Sequence, residues 1–170
     1  MDNGKQRCIG RGILIGLAAG LAGAWAMNQF WAIEAKFNPP QPSSDGGEES
    51  RQKNNPTVKV AEAIMHAMMG RDLKQNEKSR AGAIVHYAFG AAMGGAYGGL
   101  AELTPAATLD FGAAFGSTLW LVADELTVPT LGLSASARDY PLSAHISGLG
   151  AHLVYGITTE SVRRALRAAL

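Results

Sequence analysis

The sequence has a single cysteine, Cys8, among 170 residues. That excludes an intrachain disulfide and any cysteine cluster for zinc or iron–sulfur chemistry. Cys8 stands among Lys5, Arg7 and Arg11. It reads as an ordinary free thiol; a thiolate made reactive by those charges is the alternative. Net charge is nearly absent as well, since 15 basic residues face 14 acidic ones. No basic stripe carries interleaved aromatics, so nucleic acid is not an expected partner. The motifs GxSxG and GxxxxGK[ST] are missing, as is a dinucleotide fingerprint after a strand. No catalysed reaction, resident cofactor or bound metal is therefore expected. The glycine-rich piece GAAMGGAYGG lies inside an apolar stretch, where a phosphate would find no solvation.

What is present is a segregated pattern that the averages hide. Mean hydropathy is only +0.03, yet glycine and alanine score weakly, and a small-residue membrane bundle has a modest average. Most charges fall in the first eleven residues, in residues 34–80 and near the C-terminal end. Residues 9–33 carry one charge, Arg11, and then run GILIGLAAGLAGAWAMNQFWAI. This charge-free run of about 22 residues is long enough to cross roughly 30 Å of hydrocarbon as a helix. Ala24-Trp25-Ala26 also fits a signal-peptide cleavage site, but the apolar run continues past it to Phe30 and Trp31.

Residues 34–56 form a polar loop. Residues 57–69, opened by Pro56, show helical spacing at Val60, Ala61, Ile64, Ala67 and Met68. This segment is too short to span, and predicts an amphipathic helix on the membrane surface. A second span is expected over 81–101, a third over 106–128 and a fourth over 141–159, with a basic tail at 160–170. Only 13 residues separate Asp110 from Asp124 in the third. Its helix must hold Asp110 near an interface or take Asp124 and Glu125 into the protein interior. Four spans place both termini on one side, and both are basic, which points to the cytoplasm. The eight Lys and Arg of residues 34–80 pull the other way.

Small residues recur every fourth position. Gly12, Gly16 and Gly20 mark the first span, Gly90, Gly94 and Gly98 the second, Gly112 and Gly116 the third, and Gly148 and Gly156 the fourth. Positions four apart share a helix face, and a face without side chains lets another backbone approach closely. These seams predict packing within a bundle or a homo-oligomer; a smooth groove for a substrate or lipid chain is the alternative.

Five ionisable residues fall within or beside the spans: His86, Asp124, Glu125, His145 and His152. Charge is costly in lipid, so they should face the interior, pair, or stay neutral. His145 and His152 are two turns apart on the face of Gly148 and Gly156, and His86 extends the face of Gly90. Three readings compete. The imidazoles are neutral hydrogen-bond partners between helices, to Tyr87, Tyr97, Tyr155 or Asp124; or they form a proton-responsive or cation site with Asp124 or Glu125; or they ligate haem or a metal, although HExxH and CxxCH are absent. His66, on the surface helix, is incidental.

The second half resembles the YagU-like family of small bacterial inner-membrane proteins. The resemblance rests on His86-Tyr87-Ala88-Phe89-Gly90 with Tyr97-Gly98, Phe115-Gly116 leading to Trp120, and Asp124-Glu125 with Pro129 and Leu131-Gly132-Leu133. It closes with His145, Gly150-Ala151-His152-Leu153-Val154-Tyr155-Gly156, and Glu160 before Arg163-Arg164. It implies a polytopic inner-membrane protein and supplies no activity. The expectation is an all-α membrane protein: four transmembrane helices packed through Gly/Ala seams, with one short amphipathic surface helix, in contact with the lipid bilayer. Its expected role is non-enzymatic, in envelope homeostasis or pH response. A small transporter or channel component for protons, a cation or a solute is the alternative, and a membrane haem or metal protein the third.

Overall fold

The computed structural model describes residues 9–37 and 55–169. Cys8 and residues 38–54 of the expected polar loop lie outside the described residues. Among the described residues there is no strand; the chain is all-α.

Helix α1 (Ile9–Phe37) has 29 residues and no proline, and at 1.5 Å per residue it is about 43 Å long. Its best 18-residue window has a mean hydropathy of 1.5, and it is the one helix among the described residues long and apolar enough to cross a membrane by that measure. Helix α2 (Pro56–Met69) starts where Asn55 Oδ1 accepts the Thr57 N–H at 3.0 Å, with Pro56 in the first turn, where its missing N–H costs nothing. Gly70, at φ 64°, ends it.

Helix α3 (Gln75–Leu103) begins six residues ahead of the expected second span. The Glu77 carboxylate explains the early start, because it accepts the Lys74 N–H at 2.9 Å and so caps the polar first turn. Glu77 also holds Arg71 at 2.9 Å. The Arg71 guanidinium, with the Lys74 N–H, holds the Glu77 carboxyl down at about 2.

A 3₁₀ turn (Pro105–Thr108) follows, and α4 (Ala113–Leu119) then begins seven residues later than the expected third span. The delay has a backbone cause: Phe111 and Gly112 take φ values of 57° and 85°, which interrupt a right-handed helix. Asp110 stays at this end, its carboxylate accepting the Ala114 N–H. Helix α4 runs on into a π-helical segment (Trp120–Thr127) and a last α turn (Val128–Thr130). Helix α5 (Leu142–Ala169) continues through the stretch expected as a basic tail. There Glu160 accepts Arg163 Nε at 2.6 Å and Arg164 Nε at 2.5 Å, three and four residues on, which favours a continued helix.

Glycines fix the register. A Cβ on Gly12, Gly16 or Gly20 would overlap or crowd the carbonyl oxygen of Gly98, Gly94 or Gly90 respectively, so α1 and α3 run antiparallel with their backbones in contact. On the neighbouring face of α1, Gly23 meets Tyr155 and Thr159 of α5, again antiparallel. Gly112 and Gly116 lie against the Gly156 and His152 carbonyls, joining α4 to α5. Gly148 instead receives a side chain, with Trp120 Nε1 3.0 Å from a Cβ built there. Helix α2 lies on the first part of α3, where Gly82 fits under Val58. The four long elements thus alternate in direction, and residues 9 and 169 lie at the same end.

The interior is largely small or polar, with Ala19, Ala24, Ala151, Tyr155, Thr159 and Glu160 buried beside Ile15, Val58 and Leu73. Large apolar side chains point outward instead: Leu14 is 68% exposed, Ile84 69% and Ile146 63%.

Candidate functional site

The π segment puts two consecutive acids opposite two histidines. With about 4.4 rather than 3.6 residues per turn, successive side chains are rotated less, so Asp124 and Glu125 both face α5. Glu125 Oε1 is 2.7 Å from His145 Nδ1. One heptad along α5, Asp124 Oδ2 is 3.7 Å from His152 Nδ1. That second contact is too long for a good hydrogen bond. The same Nδ1 lies 2.9 Å from the Gly148 carbonyl oxygen of its own helix and donates there.

His86 reaches across the other interface, with Nε2 3.2 Å from the Ala24 carbonyl oxygen of α1. Asn28, one turn on, donates to the Tyr87 hydroxyl at 3.1 Å. These groups border two cavities. The larger, about 860 Å³, lies between α1, α2, α3 and the π segment, and is lined by His86, Asp124, His152 and Asn28 within otherwise mostly apolar walls. The smaller, about 210 Å³, is lined by Glu125, His145, Tyr140 and Trp120. Asp124 borders both.

Of the five residues singled out in the sequence, the structure pairs Glu125 with His145, sets Asp124 near His152, and brings His86 to the same cavity as that second pair. Among the described residues no three His, Cys, Asp or Glu side chains are grouped as metal ligands would be.

A second polar cluster, at the end that holds residues 9 and 169, escaped the sequence reading. Glu102 takes Arg167, with Nε to Oε1 at 2.8 Å. Glu160 is fully buried and binds Arg163 and Arg164, whose guanidinium lies 4.5 Å over the Phe111 ring. Burial alone would raise the Glu160 carboxyl, but the hydrogen bonds from Arg163 and Arg164 outweigh it and hold the group below its ordinary value. The Glu160–Arg163–Arg164 spacing was a readable signal; Glu102 with Arg167 had none, being 65 residues apart.

A family model described as a protein of unknown function (DUF1440) matches residues 30–161, more than half of the chain. The chain belongs to this family. The matched region takes in both His–carboxylate contacts, the smaller cavity and most of the lining of the larger one, whose Ala24, Met27 and Asn28 precede it. No curated protein and no solved structure matches the chain.

Proposed function

We propose that the chain is a multi-pass bacterial inner-membrane protein of the YagU-like kind, with both termini cytoplasmic, whose helix packing responds to pH. The membrane reading is supported by the distribution of side chains. Without a hydrophobic drive between helices, membrane bundles pack small residues inward and turn large apolar ones to lipid. Leu14, Ile84, Leu121 and Ile146, on α1, α3, the π segment and α5, are all exposed, while the closest backbone approaches between helices are at glycine.

The observation that carries the pH reading is the 2.7 Å contact of Glu125 with His145, repeated more loosely seven residues on by Asp124 and His152. Histidine titrates at about 6.5. A neutral imidazole offers the carboxylate one hydrogen bond; an imidazolium makes an ion pair, which is stronger where water is scarce. Acidification in that range therefore tightens the π segment onto α5 as long as the carboxylates stay ionised. The titratable groups that face one another here are Asp124 and Glu125 on the π segment, His145 and His152 on α5, His86 on α3 and Tyr140 in the preceding loop. Glu34 of α1, bonded to Ser147, stands close by.

The test is thermal melting of the detergent-solubilised chain between about pH 8 and 5.5, spanning the ordinary imidazole range. Wild type should gain stability on acidification relative to His145→Gln and Glu125→Gln. Parallel pH profiles for all three reject the reading.

The larger cavity favours a second reading, a small transporter or channel component for protons, a cation or a small solute. In liposomes, flux lost in both His152→Ala and Asp124→Asn would support it.

A further inference from the structure

The larger cavity has the volume of a site for a drug-sized ligand. Its walls include Met27, Phe89, Met93, Val122 and Leu133. Four of the polar groups set into those walls share one property. His86 Nε2 faces the Ala24 carbonyl oxygen and His152 Nδ1 the Gly148 carbonyl oxygen. A carbonyl has no proton to give, so each of these ring nitrogens carries the N–H. In the neutral rings, His86 Nδ1 and His152 Nε2 are then left to accept. Asn28 uses an amide N–H on Tyr87, which leaves its side-chain carbonyl oxygen as the acceptor for the cavity. Asp124 adds a carboxylate that is half exposed, 48% by side chain. Four helical segments thus each supply one hydrogen-bond acceptor, one of them anionic, to an apolar chamber.

We propose that this cavity binds a lipophilic organic cation bearing N–H donors, its charged nitrogen against Asp124 and its body between the apolar walls. The Asp124 carboxylate repels an anion by like charge. A neutral hydrocarbon would leave the acceptors unmatched, and the apolar walls around Asp124 strengthen its attraction for a cation. The proposal rests on the membrane reading and shares Asp124 with the pH reading. The pH profile of melting tests the one and ligand binding at fixed pH the other, so either can fail alone.

The experiment is fluorescence anisotropy of rhodamine 6G, an aromatic cation with N–H groups, titrated with the full chain in lipid nanodiscs. Empty nanodiscs provide the blank, and the work is done at about pH 8, where unperturbed histidine is neutral. Saturable binding is expected, weakened about tenfold or more in Asp124→Asn. It should be weakened at least as much in Val85→Trp, which narrows the cavity beside His86 and leaves every acceptor in place. Asp139→Asn, which removes an exposed carboxylate elsewhere, should bind as wild type does. Absence of saturable binding, equal binding by Asp124→Asn and wild type, or equal binding of the anionic dye fluorescein would overturn the proposal. If Asp124→Asn fails to fold, the outcome for Val85→Trp decides.

Discussion

Glu102 and Arg167 lie 65 residues apart and make two contacts, Nε to Oε1 at 2.8 Å and Nη2 to Oε2 at 2.9 Å. They tie the last turn of α3 to the last turns of α5. The two helices run parallel on either side of α1 and meet through side chains: this pair at one level, and the Tyr155 hydroxyl on the Gly90 carbonyl at 2.6 Å at another. Together with Glu160, Arg163 and Arg164, the Glu102 pair closes the end of the bundle where residues 9 and 169 lie. The opposite half, by contrast, opens into the two cavities. One end is held by Arg–carboxylate ion pairs, and the other carries the His–carboxylate contacts.

The locked end has its own acid limit. The Glu160 carboxyl is depressed in the folded chain, so its stabilisation is fully present above the unfolded carboxylate value of about 4.3 and is lost as pH falls through the lower folded value. Melting of wild type should therefore decline steeply below about pH 4. In Glu160→Gln that decline should be shallower, and stability at neutral pH should drop by about 1–3 kcal/mol, since Arg163 and Arg164 lose a buried acceptor. A variant that keeps the wild-type slope below pH 4 would show that other carboxylates govern acid unfolding.

The glycine faces predict a sharper contrast. A Cβ on Gly94 would meet the Gly16 carbonyl and lie 2.5 Å from Gly20 Cα and 2.8 Å from Gly20 N, all backbone atoms that cannot swing aside. Gly94→Val should therefore force α1 and α3 apart and cost about 3 kcal/mol or more, as overpacking against rigid neighbours does. Gly10, on the same helix as Gly16, has nothing within 4 Å of its Cβ position. Gly10→Ala should gain about 0.5–1 kcal/mol from helix propensity alone. Melting temperatures in detergent check both, and equal effects from the two substitutions would contradict the packing.

How much of this was legible without coordinates follows from the range of each interaction. The helical segments announce themselves through local signals: the charge-free run after Arg11, and Pro56 as a start. The positions of Gly16, Gly94 and Gly156 mark close approach because spacing by four is a property of a single helix. Which seam meets which is a matter of tertiary packing, and Gly148, expected among the backbone contacts, in fact holds the Trp120 indole. The late start of α4 depends on the left-handed backbone at Phe111 and Gly112, and Phe111 gives no sequence signal of it. For the polar residues, the histidine faces were readable from α-helical geometry. The way Asp124 and Glu125 both turn to α5 was not, because a 3.6-residue period points consecutive side chains about 100° apart and nothing in WLVADELT announces the wider π turn.

That wider turn yields the last prediction. In the π segment the backbone bonds run to the fifth residue back, as Val128 N–H does to the Ala123 carbonyl. A π turn carries one residue more than the α-helix needs, so deleting a residue from it lets the remainder rewind with i→i−4 bonds. Leu121 is exposed and its side chain joins no polar contact, which makes it the least disruptive residue to remove. Between Trp120 and Glu125 it replaces five steps of about 82° by four of about 100°, so Glu125 keeps nearly its former direction. Asp124 turns back by a few tens of degrees, while Gly112, Gly116 and their contacts with α5 lie ahead of the change and stay in place. The variant should fold, remain in the membrane fraction and keep the stability gain on acidification that His145→Gln loses. Loss of that gain in the deletion variant would mean that rewinding the turn does not return Glu125 to His145.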